Sequence, residues 1–211
     1  MSSTSDRRTL RGGLTRLKIL EAARGTLLER GAGGTSTRSV ADRAGVPLSQ
    51  VHYHFGSKQD LLAAVLEREN DLLLDRQREL YDAPGPLAEK WQTACAFLDE
   101  DIRSGYVRVL WELWAAGLAD DVLAEHWRGA MGGWRELLEA VFEKWTVDND
   151  ITLPVAPRAV ATLVCNIFQG VEIELLAGIG EAEAPHREVL EAIGLFIQGA
   201  EAGRPGGPGI G

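Results

Sequence analysis

Three observations predict an all-α chain. Apolar residues recur three and four positions apart over most of its length, no stretch alternates apolar and polar residues as a strand would, and Gly or Pro marks the joints between the periodic stretches. Residues 1–13 are rich in Ser, Thr, Arg and Gly and read as a flexible arm bearing Arg7, Arg8 and Arg11. A first helix is expected from about Thr15 to Arg30, with Leu17, Leu20, Ala23, Leu27 and Leu28 on one stripe, ended by Gly31, Gly33 and Gly34. Ser36 is placed to cap a second helix whose Val40, Ala41 and Ala44 share a face. Gly45 supplies a left-handed stop, and Pro47 restarts the chain with its φ already helical.

The third helix, Leu48 to Phe55, buries Val51 and Phe55 and leaves Ser49, Gln50, His52, Tyr53 and His54 outward or sideways. Its free surface is therefore donors, acceptors and aromatic rings. Two short helices around a glycine turn, the second with such a surface, suit a helix–turn–helix that lays the second helix in a DNA major groove. Ser57 and Asp60 have capping-box spacing and open a long helix to about Leu80, with Leu61, Leu62, Val65, Leu66, Leu72 and Leu73 on its inner side.

Ala83-Pro84-Gly85-Pro86 breaks the chain before a helix bearing Leu87, Trp91, Ala94, Leu98 and Ile102. The next carries Tyr106, Leu110, Trp111, Leu113 and Trp114, and the one after it, from about Asp121 to Trp145, carries Leu123, Trp127, Met131, Trp134, Leu138, Val141 and Trp145. Pro154 and Pro157 open the last pair. Residues 157–179 are apolar on two sides, so that helix needs two covers: its own domain and, as expected here, a second subunit. The alternative is a central helix in a monomeric bundle. A final helix over about Pro185 to Ala200 repeats the stripe, and the Gly/Pro-rich residues 201–211 read as a disordered tail.

Residues 14–66 resemble the TetR family of bacterial transcription regulators. The matching stretches are LTRLKILEAARGTLLERG, then TSTRSVADRAGVPLSQVHYHFGSK, then QDLLAAVLE. The resemblance implies an N-terminal three-helix DNA-binding domain (14–60), a helical ligand-binding and dimerisation domain (61–200) and a homodimer made through the last two long helices. By the same resemblance Thr37 and Arg38 touch phosphate, and Pro47, Leu48, Ser49 and Gln50 meet base edges. Gln50 is the best direct reader, able to hold adenine with its two-ended amide, and Leu48 suits a thymine methyl. Tyr53 and His54 face backbone or groove wall, and Lys58 holds a phosphate. His52 stands where family members usually carry Tyr, so an imidazole replaces that hydroxyl. Arg7, Arg8 and Arg11 are either a phosphate- or minor-groove-seeking arm or a solvated tail.

Charge agrees with this polarity. Residues 1–60 hold 10 Lys+Arg against 5 Asp+Glu, and the remainder 12 against 26, giving +5 and −14 within the whole-chain −9. A basic end on an acidic body concentrates attraction for a polyanion at the motif. The length of 211 residues suits one reading module and a larger bundle. No run approaches the length of about 18 apolar residues needed to cross a bilayer and no apolar signal core is visible at the N-terminus, so a cytoplasmic location is expected. Cys95 and Cys165 lack CxxC spacing and read as buried free thiols, with a redox pair as the alternative. His52 and His54 project about 200° apart on a helix and cannot grip one metal ion.

The effector is expected to be small and apolar or aromatic. Six tryptophans exceed what packing alone requires, and Trp111, Trp114, Trp127 and Trp134 are the expected cavity walls, with Glu112, Asn166, Gln169 and Glu172 as polar handles. For any single tryptophan, core filling is the competing assignment. No cofactor is expected. The expected function is a ligand-responsive homodimeric repressor on a roughly palindromic operator. One alternative is a DNA-binding dimer controlled by a protein partner or by no effector. A helical enzyme is the other, though no Ser/His/Asp, Cys/His or His/Glu set has catalytic spacing.

Overall fold

The computed structural model describes residues 3–203, with side chains from residue 12 onward. Among these residues there are nine helices and no strand: α1 Ser3–Gly34, α2 Thr37–Ala44, α3 Leu48–Phe55, α4 Lys58–Asp82, α5 Leu87–Ser104, α6 Tyr106–Gly117, α7 Asp121–Asn149, α8 Pro157–Leu176 and α9 His186–Ala202. They form two compact units. The first takes the residues up to Asp71 together with Arg108–Ala130; the second takes Leu72–Val107 and the chain from Met131 on. The first unit thus includes residues 61–71, α6 from Arg108 on and the start of α7.

In the first unit, the inner face of α1 is Ile19, Leu20, Ala23 and Leu27, while Leu17, expected on that face, is exposed. The apolar stripe is thus rotated by part of a turn. Helical backbone begins at Ser3, inside the segment read as an arm, and the side chains of Arg7, Arg8 and Arg11 lie outside the described ones. Helix α2 buries Val40, Ala41 and Ala44, and α4 contributes Leu61, Leu62, Val65 and Leu66. Arg24 Nε donates to Glu69 Oε2 at 2.7 Å and ties α1 to α4.

The second unit packs α5, α8 and α9 with the later parts of α4 and α7. Phe168 sits edge-on to both Trp91 and Trp134, with centroids 5.7 and 5.6 Å away, in the offset geometry aromatic pairs favour. Trp91 Nε1 donates to the Leu190 carbonyl at 2.8 Å. Gly194 makes that approach possible, because a Cβ there would stand 2.9 Å from Trp91 Cδ1. Glu201 accepts from Leu87 N at 2.7 Å and Trp145 Nε1 at 3.1 Å. Glu201 and Ala202 are thus the end of α9, whereas the tail from residue 204 lies outside the described residues. Leu72, expected inside, is exposed, and Leu74 takes the core position.

Helix α8 carries Ala161, Val164, Cys165, Phe168 and Val171 inward. Its other side leaves Leu163, Ile173 and Leu176 exposed, and α9 leaves Val189, Leu195 and Phe196 exposed; Leu163 is 59% and Phe196 62% exposed. Contrary to the sequence reading, α8 is long and apolar enough to cross a bilayer by length and composition alone. A third of the residues in that span are buried inside the fold, and helices serving a protein core or interface pass the same test. Cys165 is buried and Cys95 half-buried; neither is in a disulfide, and desolvation pushes both thiols up to about 12.

Candidate nucleic-acid interface

The α2–α3 hairpin is assembled by local capping. Ser36 Oγ accepts from Ser39 N at 3.1 Å while Ser36 N donates to Ser39 Oγ at 3.0 Å, a reciprocal box that satisfies amides at the start of α2. Gly45 closes α2 at φ 60°, ψ 41°, and Val46 N returns to Ala41 O at 3.1 Å. That left-handed step costs a residue with a Cβ about 1 kcal/mol or more and turns the chain into Pro47. On α3, Val51 and Phe55 are buried, worth roughly 1.5–3 kcal/mol each. Those two anchors fix which face looks outward. Ser57 and Asp60 then form the second box, with Asp60 N donating to Ser57 Oγ at 3.0 Å.

The outward face of α3 holds Leu48, Ser49, Gln50, His52 and Tyr53, all exposed, with Pro47 exposed just before it; Tyr53 is 80% exposed. His54 is half-buried, its ring edge-on to Tyr53 at 5.1 Å. Arg38 is exposed and Thr37 half-buried at the first turn of α2. His52 Nδ1 lies 2.9 Å from the Gly56 carbonyl. That bond requires the proton on Nδ1 and leaves Nε2 facing outward. Lys58 is half-buried, and its Nζ donates to the Ala32 carbonyl at 2.8 Å. The lysine expected at a phosphate thus also fastens α4 to the end of α1. Arg43 is engaged elsewhere: it pairs with Glu29 at 2.6 Å, which holds that carboxyl below its ordinary range.

The residues expected to hold an effector are not one group. Trp111, Trp114 and Trp127 cluster in the first unit, with ring centroids 5.4, 6.3 and 6.4 Å apart, whereas Trp134 is in the core of the second unit against Phe168. Asn166 is exposed on α8, Gln169 Nε2 donates to Met131 Sδ at 3.2 Å, and Glu172 is buried. The second unit has a cavity of about 640 Å³ beside the α4–α5 turn and α7, which includes Tyr81 and Trp145. A second, of about 630 Å³, lies between α5, α8 and α9 and includes Trp91 and Cys95. Neither is lined by the four expected tryptophans. Glu112 instead reaches the α1–α2 turn: its Oε2 accepts from Ala32 N at 3.0 Å. Eighty positions separate those two residues, and no sequence signal could have joined them.

An all-helical fold with a capped α2, a glycine turn and an α3 that exposes its hydrogen-bonding edge has the arrangement of a helix–turn–helix. The comparisons agree. Residues 19–65 match the family model described as bacterial regulatory proteins, tetR family. It is similar to the HTH-type transcriptional repressor KstR2 of Mycobacterium tuberculosis, 32% identical over 75 residues, covering 36% of this chain and 38% of that protein. It is also similar to the HTH-type transcriptional regulator TtgR of Pseudomonas putida, 35% identical over 75 residues, covering 35% and 36%. The chain thus matches little more than a third of the length of these relatives. The fold extends further. GusR of Salmonella enterica superposes with a TM-score of 0.71 at 20% identity over 89% of this chain and 95% of that one. A TetR-family regulator from Agrobacterium tumefaciens superposes at 0.72 and 20% over 86% and 98%.

Proposed function

We propose that this protein is a cytoplasmic, homodimeric transcriptional repressor that reads a roughly palindromic operator with α3 and is released by a small apolar molecule. The observation that carries the DNA reading is the outward edge of α3, where Ser49, Gln50, His52 and Tyr53 are exposed above a buried Val51 and Phe55. Pro47, Leu48, Ser49 and Gln50 meet base edges; Thr37, Arg38, Tyr53, His54 and Lys58 hold the backbone, and the free Nε2 of His52 takes the place of a hydroxyl.

The exposed stripe of Leu163, Ile173, Val189 and Phe196 supports dimerisation through α8 and α9, since apolar area of this extent is covered in stable proteins. Two copies would set their α3 helices one turn of DNA apart, about 34–36 Å. For the effector, the cavity between α5, α8 and α9 has the volume of a drug-sized ligand and apolar walls in Trp91, Val171, Leu175 and Leu190. The three clustered indoles of Trp111, Trp114 and Trp127 pack on one another at centroid distances of 5.4–6.4 Å. They suit a packing and reporting role better than that of cavity walls.

Selection of bound fragments from random duplex DNA tests the reading. Recovery of a two-fold symmetric site is expected, with affinity falling steeply in salt at a log–log slope of roughly −0.9 per phosphate contact. Failure to enrich any sequence would sink it.

A further inference from the structure

We infer that Glu112 is a positioning residue for operator reading: from α6 it holds the α1–α2 turn, and through that turn the start of α4, in the register that presents α3. The inference rests on the DNA-reading role proposed for α3.

The helix α1 is broken at Gly31, whose φ of 67° and ψ of 175° are not helical. Just after the break, the amide of Ala32 donates to an acceptor from outside the helix. Glu112 supplies it, with Oε2 at 3.0 Å. The carboxylate lies flat against the break, since a Cβ on Gly31 would stand 2.9 Å from Oε2 and 3.3 Å from Oε1. Glycine at position 31 is thus favoured by its backbone angle, and a Cβ there would displace this carboxylate.

The other end of the same residue is held as well. Lys58 Nζ donates to Ala32 O at 2.8 Å, so a carboxylate from α6 holds the amide of Ala32 and an ammonium from the first residue of α4 holds its carbonyl. Both bonds are charge-assisted and stronger than neutral ones. Thr35 Oγ1 donates to Gly31 O at 2.8 Å and braces the turn from within, one residue before the Ser36 cap of α2. On the far side, Lys58 stands three residues past Phe55, the inner anchor of α3.

Helices α2 and α3 are therefore suspended between Ala32 and Lys58, and Glu112 ties that suspension to α6. A shift of α6 by about 1 Å would open the 3.0 Å bond to a length at which it no longer holds. The position of α6 is in this way transmitted to the recognition helix without any residue of α6 touching DNA.

The test uses the full chain, an operator recovered by selection with the wild type, and an unrelated duplex of equal length at the same salt. Glu112→Ala is expected to lose roughly tenfold in operator affinity, in line with an orphaned amide, while changing affinity for the unrelated duplex by less than about twofold. Glu112→Gln keeps an acceptor oxygen and is expected to recover most of the loss. Unchanged operator binding by Glu112→Ala overturns the inference. So does an equal fall on both duplexes accompanied by a lowered melting temperature, which would make Glu112 merely structural. A wild type that selects no duplex sinks the DNA reading first, and this inference with it.

Discussion

Helix α3 in the first unit and the pair α8 and α9 in the second each turn one face to solvent, with opposite chemistry. On α3 the exposed residues include Ser49, Gln50, His52 and Tyr53; on α8 and α9 they include Leu163, Ile173, Leu176, Val189, Leu195 and Phe196. A polar edge is well solvated when nothing is bound, so α3 can meet and leave its partner. An apolar face left wet forfeits roughly 25 cal/mol for every Å² that could have been covered. The first surface is suited to reversible contact and the second to a lasting one. That contrast is the physical basis for proposing DNA as the partner of α3 and a second copy of the chain as the partner of α8 and α9.

The most damaging way to break the contrast is to put a charge on the lasting face. Phe196→Glu is expected to give a monomer by sedimentation and to weaken operator binding at least about 100-fold, because two linked half-site contacts become one. A dimer of unchanged affinity would remove α9 from the interface. Trp91→Ala attacks the core beneath that face. It deletes the edge contact with Phe168 and the bond to Leu190 O, and is expected to cost about 3–5 kcal/mol in denaturant unfolding.

Gln50→Ala leaves both cores intact. It is expected to cost about 1–3 kcal/mol of discrimination between operator and mismatched duplex, with no change in the unfolding midpoint. A uniform loss on all duplexes would instead assign Gln50 to the backbone.

The smallest effect belongs to pH. The Cys95 and Cys165 thiols rise from 9.0 to about 12 through burial, so the folded state keeps protons that the unfolded chain would release. Their contribution to stability is fully present below about pH 9 and is lost as pH climbs toward about 12, with the unfolded state gaining over that window. Denaturant midpoints measured from pH 7 to pH 11 check the sign. Stability that rises over that range would contradict it.

Much of the first unit was legible because its instructions are local. Ser36, Gly45, Pro47 and the Ser57/Asp60 pair act within four residues of themselves, and Leu48–Phe55 emerges as the expected helix with Val51 and Phe55 inward. Where the reading slipped, it slipped by rotation. Leu17 and Leu72 sit beside the true inner faces, because a stripe of leucines at helical spacing is compatible with neighbouring rotations until something packs on it. The tryptophans show the same limit at longer range. Four indoles that look alike in the chain divide between a three-ring cluster and the Phe168 core, and no periodicity separates the two fates.

Residue identity and spacing alone determined the helical class, the capped turn and the hydrogen-bonding edge of α3, because caps, left-handed stops and amphipathic periods are satisfied by neighbours in the chain. Tertiary structure alone decided that Glu112 holds the amide of Ala32 and Lys58 its carbonyl, that Trp91 fits over Gly194, and which apolar residues stay outside. Those contacts join residues tens of positions apart, and their energy exists only once the helices have packed.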